Sequence, residues 1–303
     1  MISRRRVISI LAGAAALPVL GSVASASALN WRGIALGANA NIVLDHPNAD
    51  ALLNKALKEI VRLEKVFSLY QADSQLSVLN RDGTLTAPAF ELIDLLNISD
   101  RIHKETAGAF DPTVQPLWAL YAKKYAAGSA PKQSEIKAAQ AKTGWSNLSV
   151  SPEMIVFNKP GMALTFNGIA QGYIADKVAN LLRQEGVQNV LVNTGEISAV
   201  GVSPSGAAWP ITLADRGQKL KLSNAAIATS APGGTFFDQA GTVGHILDPR
   251  TGLPGGKWQS LSVIDKSAAR ADGLSTAFCL MDKTRIQAVA GAHEVVFGAA
   301  ISA

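Results

Sequence analysis

The stretch Thr165-Phe-Asn-Gly-Ile-Ala-Gln-Gly172 joins a strand-like run, Ala163-Leu-Thr-Phe166, to a segment with helical apolar spacing that runs from about Ile169 to Gln184 and stops at Gly186. A short apolar run, Val190-Leu-Val-Asn193, follows and breaks at Thr194-Gly195, which reads as a buried strand. Regular repetition of that strand–helix–strand step would give a doubly wound parallel sheet. The rest of the chain does not repeat it. Upstream, Met154-Ile-Val-Phe157 and Ala163–Phe166 flank the turn sequence Asn158-Lys-Pro-Gly161 and read as a hairpin. Downstream, strands are expected at Pro210–Ala214, Ala225–Ser230, Leu261–Ile264 and Glu294–Gly298, with one helix near Ala271–Met281. Nearer the N-terminus, Gly33–Leu44 reads as a strand. A helix capped by Asn48 or Asp50 carries Leu53, Leu57, Ile60, Val61 and Leu63, and two more are expected at Pro88–Thr106 and Ser134–Lys142. Helices and strands alternate irregularly, so the expected class is α+β, with mixed or antiparallel sheets and flanking helices. There is no G-x-G-x-x-G loop or Walker A sequence.

The N-terminus opens Met1-Ile-Ser-Arg4-Arg5-Arg6 and then runs from Val7 to Ala28 without a charge. A basic start, an apolar stretch and the small-residue pattern Ala24-Ser-Ala26-Ser-Ala28 make residues 1–28 an export signal, its Arg pair of the twin-arginine type. The expected location is the periplasm, and the alternative for the same residues is an uncleaved membrane anchor. Residues 29–303 then form the working domain. Removing the signal takes three arginines and no acids, so the 28 basic and 23 acidic residues become 25 and 23, and net charge falls from +5 to +2. No Lys/Arg run remains to suggest nucleic acid as a partner. One cysteine and four histidines argue against an internal disulfide or a structural zinc site.

Chemistry-bearing residues gather late in the chain. Asp272-Gly-Leu-Ser-Thr276 sets a carboxylate and a hydroxyl one helical turn apart on one face, a hard-oxygen pair suited to Mg²⁺. His245-Ile-Leu-Asp-Pro-Arg-Thr-Gly252 offers an imidazole, a carboxylate and a guanidinium in a Pro/Gly loop. Together they point to metal-assisted phosphate chemistry. Taken singly, each has a plainer reading. His245 can be a buried satisfied side chain, Arg250 can simply pair with Asp248, and Glu196 can be a solvated turn residue. Tyr70, beside the turn formers Asp73–Asn80, can be core. Gly108-Ala-Phe-Asp-Pro-Thr-Val114 can be an ordinary loop after a helix.

Taken in order, Phe67-Ser-Leu-Tyr70 with Asp73-Ser-Gln-Leu-Ser77, Gly108–Val114, Gly168-Ile-Ala-Gln-Gly-Tyr173, Leu191-Val-Asn-Thr-Gly195, His245–Gly252 and Asp272–Thr276 resemble the FAD:protein FMN transferases, the ApbE-like flavin transferases. That resemblance implies an ApbE-like fold and an Mg²⁺-dependent enzyme. It would cut FAD, attach FMN through a phosphoester to a Thr or Ser of an acceptor redox protein, and release AMP. It also implies metal binding by Asp272, Thr276 and the Gly168 carbonyl, and flavin contacts at Leu36, Tyr70, Ala109, Phe110, Asp111, Thr165, Gln171 and Ile246. His245 is implied as general base. Two rivals remain at this point: an FAD pyrophosphatase giving free FMN and AMP, and a non-catalytic periplasmic flavin carrier. The chain departs from the family's usual residues at Leu36, Thr165, Asn167 and Gln171, and its Thr194-Gly-Glu-Ile197 turn replaces Gly-Gly-Asp-Ile. The Gly-Glu-Ile turn and the signal are similar to the subgroup associated with nitrous oxide reduction, whose acceptor is a membrane-bound regulator and electron donor facing the periplasm.

Overall fold

The computed structural model describes residues 28–291 and 293–301. The export-signal reading of residues 1–28 therefore lies, apart from Ala28, outside the described residues. The strands in chain order are β1 (Leu29–Ala35), β2 (Ala38–Leu44), β3 (Thr84–Thr86), β4 (Leu148–Val150), β5 (Met154–Phe157), β6 (Val190–Asn193), β7 (Ile197–Val200), β8 (Trp209–Thr212), β9 (Lys219–Leu222), β10 (Ala225–Ser230), β11 (Leu261–Asp265) and β12 (Glu294–Phe297). The α-helices are α1 (Ala49–Phe67), α2 (Gln75–Asp82), α3 (Phe90–Glu105), α4 (Gln115–Ala126), α5 (Gln133–Gln140), α6 (Ala170–Gln184), α7 (Ala268–Phe278) and α8 (Lys283–Ala290).

A seven-stranded sheet in the order β1-β2-β6-β7-β10-β11-β12 forms the frame, and every neighbouring pair in it is antiparallel. The α+β expectation holds. Period-two alternation splits the sheet's side chains between two faces. Ile42, Leu44, Val190, Val192, Ala226, Ala228, Leu261 and Val263 enter the main core with the helices. Val43, Leu191, Ile197 and Ile227 face the other way, under Trp209, Ile211, Leu213 and Leu222 of the β8–β9 hairpin region. Both faces are covered, which explains why Val190–Asn193 is an unbroken buried run rather than an alternating one.

α6 and α7 lie against one another with almost no gap. A Cβ on Gly172 would stand 2.2 Å from the Ala268 carbonyl oxygen, so only glycine fits there. The start of α7 is held by Asp176 of α6, whose carboxylate accepts the Ala268 and Ala269 N–H groups and the Ser267 hydroxyl.

Several local expectations are corrected. Gly33–Leu44 is not one strand: Leu36 and Gly37, at φ of 47° and 80°, form a two-residue hairpin turn between β1 and β2. Ala163–Phe166 does not pair with β5, whose partners are β3 and β4. The Asn80 side chain bonds both the N–H and the carbonyl of Leu164, at 2.7 and 2.8 Å, and so satisfies that backbone without a ladder. The Asp73–Asn80 turn formers are helical from Gln75, with the Ser74 hydroxyl capping and Gly83 ending the helix in the left-handed region. In α1 the buried face runs through Leu52, Ala56, Ile60, Leu63, Val66 and Phe67, while Val61 is exposed.

Candidate active site

A cavity of about 400 Å³ opens at one end of the large sheet, where eight separate stretches of chain converge. The β1–β2 turn supplies Leu36 and Gly37, and the end of α1 with the loop after it supplies Glu64, Phe67 and Ser68–Gln71. The entry to α6 brings Thr165–Gly168, Ala170 and Gln171, and the residue before α4 and the first turn of α4 bring Val114 and Trp118. Glu196, Thr229, Ser230 and Ala231 come from positions at or beside strand ends, His245, Ile246 and Leu247 from the connection between β10 and β11, and Asp272 and Thr276 from α7.

The Ser68 turn is rigidly built. Its hydroxyl accepts the Tyr70 and Gln71 N–H groups, and its carbonyl accepts the Ser74 and Ser77 hydroxyls. The turn leaves Tyr70 half exposed at the cavity edge, 50% accessible, which decides against Tyr70 as core. Opposite it, the Leu36 N–H donates to Glu64 Oε1 at 2.6 Å, fastening the hairpin tip in a backbone conformation that leucine rarely adopts. Glu64 escaped the sequence reading. Its signal was a carboxylate one residue beyond Leu63, close to the stripe that α1 turns toward the core.

The metal-side residues assemble as a cluster. Gly168 sits so close to α7 that a Cβ there would lie 2.7 Å from the Thr276 hydroxyl. Thr276 Oγ1 lies 3.2 Å from Ser230 Oγ, which in turn is 2.7 Å from Ser275 Oγ. Asp272 Oδ2 accepts the Gly172 N–H at 3.1 Å, and Glu196 Oε2 accepts the Thr229 N–H at 3.0 Å. Both carboxylates are buried. Loss of hydration pushes the Asp272 carboxyl up to about 7, and burial followed by the charge of Asp272 pushes Glu196 well above the carboxylate range. No lysine or arginine lines the cavity among the described residues. A divalent cation implied by the resemblance therefore meets a fitting donor set: hard oxygens of a carboxylate, a hydroxyl and a carbonyl, with negative charge left uncompensated by side-chain cations.

His245 lines the same cavity. Its Nδ1 lies 3.2 Å from the Thr235 carbonyl, which can only accept, so the neutral ring carries its proton there and presents a lone pair at Nε2. Burial lowers its proton affinity, against the pull of the Thr235 and Pro232 carbonyls, and so favours the neutral imidazole.

Of the residues singled out in the sequence, Leu36, Tyr70, Thr165, Gly168, Gln171, His245, Ile246, Asp272 and Thr276 line this one cavity. Ala109, Phe110 and Asp111 do not line it. Ala109 and Phe110 are core residues, and Asp111 turns its carboxylate onto the Thr113 N–H and hydroxyl at 2.8 and 2.7 Å. Arg250 also stands apart, clamped in two-point fashion on Asp248. Trp118 and Ser230 were missed because no local pattern ties them to residues so distant in the chain, and Val114 lines the cavity although its own motif partners Ala109–Asp111 do not.

Residues 36–298 match the ApbE family. The FAD:protein FMN transferase of Vibrio cholerae is 28% identical over 307 residues, covering 94% of this chain and 91% of that protein. That of Escherichia coli K12 is 27% identical and covers 80% and 76%. Among solved structures, the apo flavinyl transferase ApbE of Pseudomonas stutzeri superposes with a TM-score of 0.79 at 28% identity, over 89% of this chain and 90% of that one. The ApbE protein of Thermotoga maritima gives 0.82 at 26%, over 91% and 96%. With a match that runs from the β1–β2 turn to the last strand, the chain belongs to the ApbE family.

Proposed function

We propose that this protein is an Mg²⁺-dependent FAD:protein FMN transferase that moves FMN from FAD onto a Ser or Thr hydroxyl of an acceptor redox protein. The observation that carries the reading is that two chemistries line one cavity: an imidazole held by the Thr235 carbonyl and a buried hard-oxygen cluster around Asp272 and Thr276. The names carried by its relatives support the FMN-transfer part of this reading.

In the reaction the acceptor hydroxyl oxygen attacks the phosphorus on the riboflavin side of the diphosphate. A new P–O bond forms, the P–O bond to AMP breaks, and AMP leaves with the bridging oxygen. His245 Nε2 takes the hydroxyl proton, a step that contributes ~10²–10⁴-fold in typical enzymes. Asp272, Thr276 and the Gly168 carbonyl would hold the cation, which when bound neutralises charge on the diphosphate oxygens. Leu36, Tyr70, Thr165, Gln171 and Ile246 supply the walls for the flavin dinucleotide, with Leu36 set by Glu64. Gly168 and Gly172 let the start of α6 close on α7, which brings Gly168 against Thr276 and the Gly172 N–H onto Asp272.

The N-terminal arginine-led signal supports action in the periplasm, on an acceptor exposed there. With the Gly-Glu-Ile turn it also supports an acceptor of the kind that serves nitrous oxide reduction, a membrane-bound electron-transfer protein. The decisive experiment incubates the pure protein with FAD, Mg²⁺ and such an acceptor and follows mass. An acceptor heavier by one FMN supports transfer. Free FMN with an unchanged acceptor means hydrolysis, and intact FAD means a carrier; either overturns the proposal.

A further inference from the structure

Glu196 follows the Asn193-Thr-Gly195 turn between β6 and β7, where the Thr194 N–H closes on the Glu196 carbonyl at 3.1 Å. From there its side chain crosses to β10 and accepts the Thr229 N–H. The residue is 8% exposed, yet it lines the cavity, as Asp272 does at 3%. Continuity of contact links the two. Thr229 is followed by Ser230, whose hydroxyl touches both Ser275 and Thr276, and Thr276 lies one turn beyond Asp272. Two carboxylates thus share one enclosed space with no lysine or arginine lining it among the described residues. Burying like charges together is strongly unfavourable unless an opposite charge joins them. A dication between them would supply that charge, and oxygen ligands from two carboxylates suit Mg²⁺.

We propose that Glu196 is a second carboxylate ligand of the divalent cation, completing with Asp272, Thr276 and the Gly168 carbonyl a site charged −2. This rests on the cation-dependent reading above and adds a ligand from the β6–β7 turn, so the cation bridges that turn and α7.

The test uses Mn²⁺ as a spectroscopic stand-in, with free ion measured by electron paramagnetic resonance, on the full chain and without FAD. Glu196→Gln keeps an acceptor for the Thr229 N–H and loses only charge, so a purely structural role predicts unchanged Mn²⁺ affinity. The proposal predicts affinity at least about tenfold weaker, with Asp272→Asn weaker still, and Glu196→Asp lying between Glu196→Gln and the native protein. If Glu196→Gln does not fold, Glu196→Asp decides alone: reduced affinity supports the ligand role and unchanged affinity overturns it. Loss of binding in Asp272→Asn with native binding in Glu196→Gln removes Glu196 while leaving the cation site standing. A native protein that binds no Mn²⁺ removes both.

Discussion

Replacing Gly172 by alanine tests how tightly the catalytic geometry depends on the contact between α6 and α7. The new methyl carbon would start 2.2 Å from the Ala268 carbonyl oxygen and 2.5 Å from its carbon, both backbone atoms. Reaching the 3.4 Å of ordinary contact needs about 1.2 Å of separation between the helices. Ala268 cannot give way alone, because its N–H is bonded to Asp176 of α6. Overpacking of this kind costs ~1–3 kcal/mol. The intrinsic helix preference of alanine over glycine returns at most ~1 kcal/mol. With that full offset the net loss is up to about 2 kcal/mol, a fall in Tm of up to about 8 °C for a domain of this size. Function should suffer more. α7 carries Asp272 and Thr276, and Gly172 itself donates to Asp272 Oδ2. A displacement of ~1 Å at a reacting centre costs on the order of 10²-fold. Thermal unfolding and FAD turnover are then measured side by side. A Gly172→Ala protein with native Tm and turnover within about twofold would refute the reasoning that this contact sets the site.

Three further predictions follow from the same geometry. Asp272→Asn should raise the metal-free Tm at pH 8 and abolish the Tm gain on adding Mg²⁺. The folded-state Asp272 carboxyl is raised from 3.8 to about 7, so its contribution is present below pH ~4 and lost as pH rises through 7. Consequently the native metal-free protein should melt lower at pH 8 than at pH 5, and Mg²⁺ should help most at pH 8; a flat profile speaks against the buried carboxylate pair. His245→Gln should slow transfer by ~10²-fold or more with FAD affinity largely kept. Because burial lowers the imidazole's proton affinity, the acid limb of kcat/KM should fall below pH 6.5, and a limb above that value would assign it to another group. Glu64→Ala removes the charged acceptor of the Leu36 N–H, an interaction worth ~1.5–3 kcal/mol. KM for FAD should rise about tenfold or more with kcat changed far less, and an unchanged KM would mean the hairpin tip does not touch the flavin.

Sequence reading went furthest where the deciding physics is local. The helix expected from Ile169 to Gln184 forms at Ala170–Gln184, and Ala225–Ser230 is a strand over its full expected length. Apolar period and bounding glycines carry that information within a few turns of chain. The four-residue spacing of Asp272 and Thr276 likewise put both into one cavity once the segment proved helical. Elsewhere the partner was too far away. Ala163–Phe166 has strand composition, but Asn80 takes up the Leu164 backbone groups and no ladder forms. The hairpin at Leu36 was hidden because leucine gives no turn signal, and Glu64 holds it there from another helix.

What the amino-acid order determined by itself was therefore the α+β class, most of the elements, the ApbE resemblance and nearly all of the cavity's chemistry-bearing residues. Only tertiary packing decided that Ala109, Phe110 and Asp111 stay behind the wall, that Arg250 is occupied with Asp248, and that Glu196 faces the same space as Asp272. The reason is physical. Helix period, capping and turns act over a few residues, whereas desolvation and charge repulsion depend on which groups the folded chain encloses together, and no local pattern encodes that distance.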